Sequence, residues 1–383
     1  MVILFVAPRF HTNQYQMVKT LQEEGHEVVF HVASHGSTED HSLLTPIVTR
    51  QSRCSVLIER IIGNGRISKP YYFPSPVKYW KVFKKCSPDV VIIRDPYKFF
   101  SLLVACYSLF VGARIIFYTQ EGLFRHRSFI TKVKQTLTLK VFRAAWMTPK
   151  MEWQSYRNEK LKLEHMYYVP LPISFNYEDY NKEELSDTNV LKLLMIGKYH
   201  QERKRHYLFL KALSMLKCKY KLSATIVGEC IRESQLKKFQ LLNDKVYEMG
   251  LTDTVELRKN VPFQEMKALY ASHHVFVLPA INEPYSVSVV EALGNGLPSI
   301  CTDSCGSKFN IIDGVNGFVI KSDSLEELVN ALEKLLGNKE LLIKMRENSL
   351  RYVAENLSGK AFYKCFQHLL NTRFQKPLKP NYN

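Results

Sequence analysis

Two carboxylates, Glu283 and Glu291, stand eight residues apart in the run Glu283-Pro284-Tyr285-Ser286-Val287-Ser288-Val289-Val290-Glu291-Ala292. Proline at the start of a helix loses no hydrogen bond, because the first turn has no partner for its N–H. The spacing therefore predicts Glu283 in the loop before a helix and Glu291 on that helix's second turn. The helix N-terminus between them carries unpaired N–H groups and a partial positive charge, which suits a phosphate. A ligand with hydroxyls at both ends and a pyrophosphate in the middle would touch both carboxylates. A nucleotide-sugar has this layout, with ribose at one end and hexose at the other. Two ordinary glutamates on a solvated helix start would leave the same trace, so the surrounding chain has to decide.

Further cations point the same way. Gly197-Lys198 closes an apolar run and Lys204-Arg205 opens a helical one, which places Lys198 and Lys204 across a strand-to-helix loop. Two ammonium groups with backbone N–H donors would clamp a pyrophosphate. They would also stabilise a nucleoside diphosphate as it leaves, with no metal required. The competing reading is a merely basic loop with Arg203, Lys204 and Arg205 exposed. Gly228-Glu229 closes the next apolar run, and 313–318 reads as a tight turn without a catalytic role.

The elements that would position these groups recur along the chain. Residues 2–7 form an apolar strand, 14–24 a helix closed by Gly25, and 26–32 the next strand. Strand, helix with a terminal glycine, strand is a unit of a parallel sheet. Residues 88–93, 114–119 and 166–170 continue as strands, with 99–112 a helix between the first two. The polar stretch 178–189 reads as a linker. A second series follows, with strands at 191–196, 223–227, 254–257, 274–279 and 299–302. Its helices fall at 205–216, 234–249, 264–271, 286–293, 325–336 and 339–356. The fold class is α/β, with two Rossmann-like doubly wound domains facing a central cleft. The expected domains are 1–180 for the acceptor, 186–355 for the nucleotide-sugar, and 356–383 as a C-terminal helix and tail packing back on the first. Such sheets bind ligands outside the carboxyl ends of their strands.

Composition bounds the partners. The chain has 383 residues, 53 Lys plus Arg against 36 Asp plus Glu, and a formal charge of +17. Residues 1–190 hold 25 basic and 17 acidic residues, and 191–383 hold 28 and 19, so no basic tail for nucleic acid stands out. From residue 60 to residue 150 there are 17 basic residues and only Asp89, Asp95 and Glu121 as acids. A basic face of that kind attracts an anionic surface. The eight cysteines lack CxxC pairs and read as thiols in a reducing compartment. The opening residues lack a basic n-region and a cleavage site, so they predict a buried strand rather than a signal peptide. The uncharged run 99–113 is short of the about 20 residues of a spanning helix. The expectation is a cytoplasmic protein that can lie peripherally on the inner face of a membrane.

In order, Gly197-Lys198, Lys204, Gly228-Glu229, Val261-Pro262-Phe263, Glu283-Pro284-Tyr285-Ser286 through Glu291-Ala292, Gly296-Leu297-Pro298 and Asn316-Gly317-Phe318 resemble the retaining glycosyltransferases of glycosyltransferase family 4, which have the GT-B fold. The resemblance covers about residues 191–335. The first half matches more loosely, through 2–7, 21–28 and 87–90. The resemblance implies that Glu291 binds ribose hydroxyls and Glu283 the donor-sugar hydroxyls. It implies backbone contacts from Tyr285, Ser286 and Val287, a pyrophosphate held by Lys198 and Lys204 beside Gly197 and Gly228, and a nucleobase near Asn260-Val261. It further implies catalytic roles for Glu283, Lys204 and Lys198.

The chain departs from the family's pattern in places. Lys198 stands where many members have Arg, and keeps the charge without the fork. Lys204-Arg205 replaces a usual Lys-Gly. The Gly-Gly loop after the first strand is absent, with Arg9-Phe10-His11-Thr12-Asn13-Gln14 in its place. Gln120-Glu121 stands where many members have a His. The acceptor side is therefore assigned to His11, Asn13, Gln120 and Glu121, with Glu121 the catalytic substitute.

The activity expected is retaining transfer of a hexosyl unit from a nucleotide-sugar, UDP by family default and GDP as runner-up. The acceptor would be a hydroxyl of a glycan or lipid-linked sugar in cell-surface polysaccharide synthesis. No cofactor, metal or nucleic acid is expected. Residues 124–146 mix apolar and basic side chains and predict a basic helix at an anionic membrane surface, or else a helix with its apolar side on the sheet. The alternatives are an epimerase or sugar phosphorylase of similar architecture, or a basic binding protein without catalysis, which would leave the ordered donor motifs unexplained.

Overall fold

The computed structural model describes residues 1–35, 40–62, 71–120, 129–150, 164–175 and 190–374. The expected linker at 178–189, Glu121 and the start of the expected basic helix at 124–128 lie outside the described residues. The described residues fall into two compact units. The first takes those within Met1–Gln120, Arg127–Pro172 and Gly359–Asn383, the second those within Ile173–Ser358.

Unit 1 runs β1 (Val2–Ala7), α1 (Thr12–Glu23), β2 (Glu27–Val32), β3 (Ile47–Val48), α2 (Arg53–Ile62), α3 (Pro76–Cys86), β4 (Val90–Arg94), α4 (Phe99–Val111), β5 (Arg114–Tyr118), α5 (Phe129–Val141), β6 (Ala145–Thr148) and β7 (Met166–Tyr168). Its seven strands are parallel, in the order β3-β2-β1-β4-β5-β6-β7. Continuous apolar strands such as Val2-Ile3-Leu4-Phe5-Val6-Ala7 are what a parallel sheet covered on both faces requires. On one face Tyr79 and Phe83 of α3, Phe100 and Val104 of α4 and Leu139 of α5 pack on Leu4, Val91, Ile93 and Phe117. Helix α4 stops at Gly112, whose φ of 73° admits the left-handed turn that lets Ala113 N–H reach Ser108 O at 2.9 Å.

Unit 2 runs β8 (Leu191–Ile196), a 3-10 turn Glu202–Lys204, α6 (His206–Leu216), β9 (Leu222–Gly228), α7 (Glu233–Glu248), β10 (Val255–Lys259), α8 (Phe263–Ala271), β11 (Val275–Leu278), α9 (Val287–Gly294), β12 (Ser299–Thr302), β13 (Gly317–Ile320), α10 (Leu325–Leu336) and α11 (Lys339–Asn356). Its parallel order is β10-β9-β8-β11-β12-β13. Both sheets are doubly wound. The chain leaves β1 and β4 in unit 1, and β8 and β11 in unit 2, toward opposite edges. Helix α12 (Gly359–Arg373) returns to unit 1 and meets α1: Tyr363 Oη lies 3.0 Å from His26 Nε2, and the Gly359 backbone sits against the Thr20 side chain.

Several expectations change. Strands β3, β6 and β13 and helices α2 and α3 were not read from the sequence. The turn expected at 313–318 forms at 314–316, closed by Gly314 N–H to Gly317 O at 2.9 Å, and β13 starts at Gly317, which pairs with Ser299 of β12. The helix expected to 146 ends at Val141. Arg143 then adopts a φ of 48°, and Trp146 lies in β6, buried, with its indole N–H on Thr119 Oγ1 at 2.9 Å. A side chain of Trp146's size fills the sheet rather than a surface.

Candidate active site

Strands β8 and β11 adjoin at the centre of unit 2, and the connections that follow them diverge. That switch point, outside the carboxyl ends of the strands, is where open α/β sheets bind ligands. Gly197 and Lys198 follow β8, and Ile281, Asn282 and Glu283 follow β11. The two loops are tied by Ile281 N–H to Arg203 O at 2.8 Å.

Glu283 is the centre of the cluster. Its residue is 5% exposed, and its Oε2 lies 2.8 Å from Lys204 Nζ and 2.9 Å from Arg203 Nη1. Its carbonyl accepts Gly306 N–H at 2.9 Å, which fixes the loop from behind. The two cations balance its charge, yet Oε2 has no partner with hydrogen-bond geometry. A buried carboxylate oriented by two cations can still accept hydroxyl donors through its remaining lone pairs. Burying such ions costs several kcal/mol each, roughly, before pairing repays it. A site of that cost is a candidate for function rather than for stability.

Lys204 corrects the exposed-loop reading, being only 8% exposed. Arg205 takes a left-handed φ of 58° and turns outward, where its Nε and Nη2 each lie 2.7 Å from the carboxylate of Asp323. That reversal sends Lys204 inward. Its stem runs over Gly197, where an added Cβ would meet Lys204 carbons at 3.2–3.3 Å. Gly228 has the stricter requirement. A Cβ there would lie 2.6 Å from the Tyr199 ring and 2.7 Å from Gly197 O, and the Tyr199 hydroxyl is held 2.7 Å from both Ile226 O and Arg258 O. Gly228→Ala is therefore expected to cost about 2–3 kcal/mol by overpacking, read as a lower urea midpoint. Gly197→Ala, facing a flexible stem, should shift turnover more than the midpoint.

Lys198, half-buried, pairs with Glu229 at 2.5 Å. His200 follows it with Nδ1 buried and unpartnered, and its pKa is lowered by burial and then by Lys198. His206 Nε2–H donates to Gly197 O at 3.1 Å and fixes the strand end from below.

Helix α9 starts as expected, with Ser286 at its N-cap and Glu291 on the second turn. The Ser286 N–H, expected to meet the ligand, instead donates to Ser307 Oγ at 2.8 Å, and Ser307 Oγ donates back to Ser286 O at 2.8 Å. The helix end is thereby clamped, and its open donors begin at Val287. Tyr285 is buried against Asn310, whose Nδ2 lies 3.4 Å from its hydroxyl. Glu291 receives the Tyr270 hydroxyl at 2.9 Å. Burial pushes the Glu291 carboxyl up, and that hydrogen bond pulls it partly back. Val261 is half-buried, and Asn260 beside it, at a φ of 55°, grips the β9 loop through Cys230 N–H at 2.7 Å and Cys230 O at 2.9 Å.

In unit 1 the switch point lies between β1 and β4. His11 caps α1: its N–H donates to Gln14 Oε1 at 3.0 Å and its carbonyl accepts Gln14 N–H at 2.8 Å. Asn13 Oδ1, in the first turn of α1, and Arg94 Nη1, at the end of β4, are buried without a hydrogen-bond partner. Gln120 Nε2 donates to the Tyr118 hydroxyl at 3.0 Å. Glu121 lies outside the described residues.

The structure thus joins Glu283 with Lys204, sets Gly197 under Lys204, and pairs Lys198 and Glu291 with Glu229 and Tyr270. Sequence reading missed Arg203, Tyr199, His200, Tyr270, Ser307 and Arg94. Arg203 carried a signal, since it adjoins Lys204. Ser307 carried none, because its partner lies 21 residues away.

Residues 176–351 match the family model of glycosyl transferases group 1. Among curated proteins, the chain is 24% identical over 212 residues to a GDP-Man:Man(3)GlcNAc(2)-PP-Dol alpha-1,2-mannosyltransferase of Caenorhabditis elegans, covering 53% of this chain and 44% of that one. It is 26% identical over 127 residues to a D-inositol 3-phosphate glycosyltransferase of Corynebacterium urealyticum, covering 32% and 30%. The matched stretch spans less than half the length of these relatives. Among solved structures, a glycosyltransferase from Rickettsia africae superposes with a TM-score of 0.75 at 16% identity, over 98% of this chain and 99% of that one. HepE of Anabaena, solved with UDP and glucose, gives 0.71 at 13% identity over 97% and 100%. The two-domain α/β fold is that of GT-B glycosyltransferases, and the similarity to group 1 glycosyl transferases lies in residues 176–351.

Proposed function

We propose that this chain is a retaining glycosyltransferase of the family 4 kind. It moves a hexosyl unit from a nucleotide-sugar to a hydroxyl of a glycan or lipid-linked acceptor, in the synthesis of cell-surface polysaccharide. The observation that carries the reading is the buried Glu283 carboxylate between Arg203 and Lys204 at the unit 2 switch point. UDP is the leading donor base and GDP the next. The UDP complex of HepE favours the first, and the GDP-Man in the name of the Caenorhabditis elegans relative favours the second.

Glu283 would hold the donor-sugar hydroxyls and Glu291 the ribose. Lys198, Lys204 and Arg203 would meet the pyrophosphate with the α9 N-terminus. As the anomeric C–O bond breaks, negative charge grows on the departing diphosphate. Fixed cations in a buried site stabilise that charge without reorganisation. The acceptor hydroxyl would approach from the same face, and the leaving diphosphate would take its proton, so no strong protein base is required. The unsatisfied Asn13 and Arg94 atoms support an acceptor site in unit 1, where His11, Gln120 and Glu121 are further candidates. A lipid-linked acceptor would be met at an anionic membrane surface, a partner the +17 charge supports, with the chain peripheral to the cytoplasmic face.

Thermal shift with UDP, GDP, ADP and CMP, with and without magnesium, tests the donor site. One nucleoside diphosphate should raise the melting temperature without metal, and Glu291→Ala should abolish the rise. The rise should also shrink on acidification, as the Glu291 carboxyl takes up a proton and stops accepting from ribose. No shift from any nucleotide would remove the donor-site reading.

A further inference from the structure

We propose that the outer side of α3, α4 and α5 in unit 1 docks on an anionic lipid surface. The proposal deepens the membrane partner of the preceding section, and it stands on the helix surface independently of the donor site.

The three helices form one layer, since their buried side chains join a single cluster on one sheet face. None of them contains an Asp or a Glu. Helix α3 exposes Lys78, Lys81, Lys84 and Lys85, and α5 exposes Lys134 and Lys140. An acid-free layer with these lysines is complementary to anionic headgroups.

Charge alone would fit any polyanion. The apolar side chains decide for lipid. Ile130, Val133, Leu137 and Val141 are all exposed, Ile130 at 77% and Leu137 at 60%. Their spacing of three, four and four residues sets them on one face of α5, while Gln135 and Leu139 are buried. A surface helix normally turns its apolar stripe toward the core. Here the stripe expected to lie either on the sheet or on a membrane points away from the sheet. In the same layer, Phe110 at the end of α4 is 80% exposed and Val77 of α3 is 72% exposed. Trp80 packs edge-on with Tyr107 at 4.9 Å and with Phe110 at 6.5 Å, which ties α3 to α4 through aromatic rings. Aliphatic side chains on a basic helix gain nothing from nucleic-acid phosphates but gain by entering the acyl boundary. Among the described residues no helix is long and apolar enough to cross a membrane, so the contact would be interfacial.

Flotation of the full chain with phosphatidylcholine vesicles, with and without about one third phosphatidylglycerol, tests this at low and high salt. The wild type should float with the anionic vesicles at low salt only. The quadruple variant Lys78→Glu, Lys81→Glu, Lys84→Glu, Lys85→Glu should lose at least about tenfold in bound fraction. Phe110→Ser with Leu137→Ser should also weaken flotation, which pure charge attraction would not require. All six side chains are exposed, and the nucleotide shift of each variant should match the wild type. Absence of flotation, equal flotation of the charge-reversed chain, or binding to duplex nucleic acid that the apolar variant leaves unchanged would overturn the proposal. A failed nucleotide shift beside normal flotation would sink the donor-site reading instead.

Discussion

Lys204→Ala is expected to lower turnover at saturating donor by roughly 10²–10³-fold, the scale of removing one preorganised donor of charge stabilisation. Lys204 Nζ lies 2.8 Å from Glu283 Oε2, and both residues are buried. The variant therefore does two things. It removes a cation that would face the departing diphosphate, and it leaves the Glu283 carboxylate with Arg203 alone. Breaking one side of a buried ion pair costs about 3–5 kcal/mol. Some of that is offset here, because Arg203 keeps its 2.9 Å contact. A loss of turnover in the single variant would thus be ambiguous. The double variant Lys204→Ala, Glu283→Gln resolves it. Neutralising both partners should restore much of the urea midpoint while leaving turnover as low as in the single variant. Release of nucleoside diphosphate from the donor is the readout. Wild-type turnover in Lys204→Ala would overturn the assignment of that lysine, and recovery of turnover in the double variant would show that the pair serves stability only.

Much of the proposed donor side was legible because its signals are local. Glu283 and Glu291 announce themselves through Pro284 and the helical spacing of Val287 and Val290, and α9 begins within one residue of the expected place. The strands of both sheets were legible for a similar reason, since a strand buried on both faces is a continuous apolar run. Legibility fails where the short elements and the long-range partners begin. Strand β3 has two residues, too few to show a period. Helix α3 mixes lysine with Val, Tyr, Trp and Phe after two prolines, so its composition resembles a loop-to-strand passage. The competing reading of Lys204 as an exposed loop residue arises because three consecutive basic residues usually are exposed. The left-handed Arg205, which sends neighbouring side chains opposite ways, leaves no trace in residue type. Ser307 and Tyr270 are joined to α9 only through tertiary packing. On the acceptor side, His11 turns out to cap α1, and the unsatisfied atoms belong to Asn13 and to Arg94, a residue that looks in sequence like the polar end of a strand.

Acidification from about pH 6.5 toward pH 4 is expected to remove a large part of the folding free energy, through three buried histidines. His31, His206 and His274 are each at most 6% exposed. Burial lowers the pKa of His31 and of His206 to about 4, and burial with Arg346 and Lys192 nearby lowers that of His274 to about 3. Geometry agrees with the neutral form. His274 Nδ1 accepts Lys192 N–H at 3.0 Å, which a protonated nitrogen could not do. In the unfolded chain these rings titrate near 6.5. Between the two sets of values the unfolded state holds more protons than the folded one, so stability rises with pH and falls as pH falls. Three such groups give a slope approaching roughly 4 kcal/mol per pH unit. Glu291 acts in the opposite sense over its own window, because its raised pKa makes the folded state the better proton acceptor. One carboxyl cannot cancel three imidazoles, and the net sign is destabilisation by acid. Urea midpoints measured from neutral pH down to about pH 4.5 should fall steeply. His274→Asn keeps an acceptor for Lys192 N–H but cannot titrate. It should reduce the slope by up to about 1.4 kcal/mol per pH unit, whatever it does to the midpoint at neutral pH. A flat midpoint across the window would mean that these rings are solvated and charged in the folded chain, and the packing around β8 and β11 that holds the donor loops would have to be redrawn.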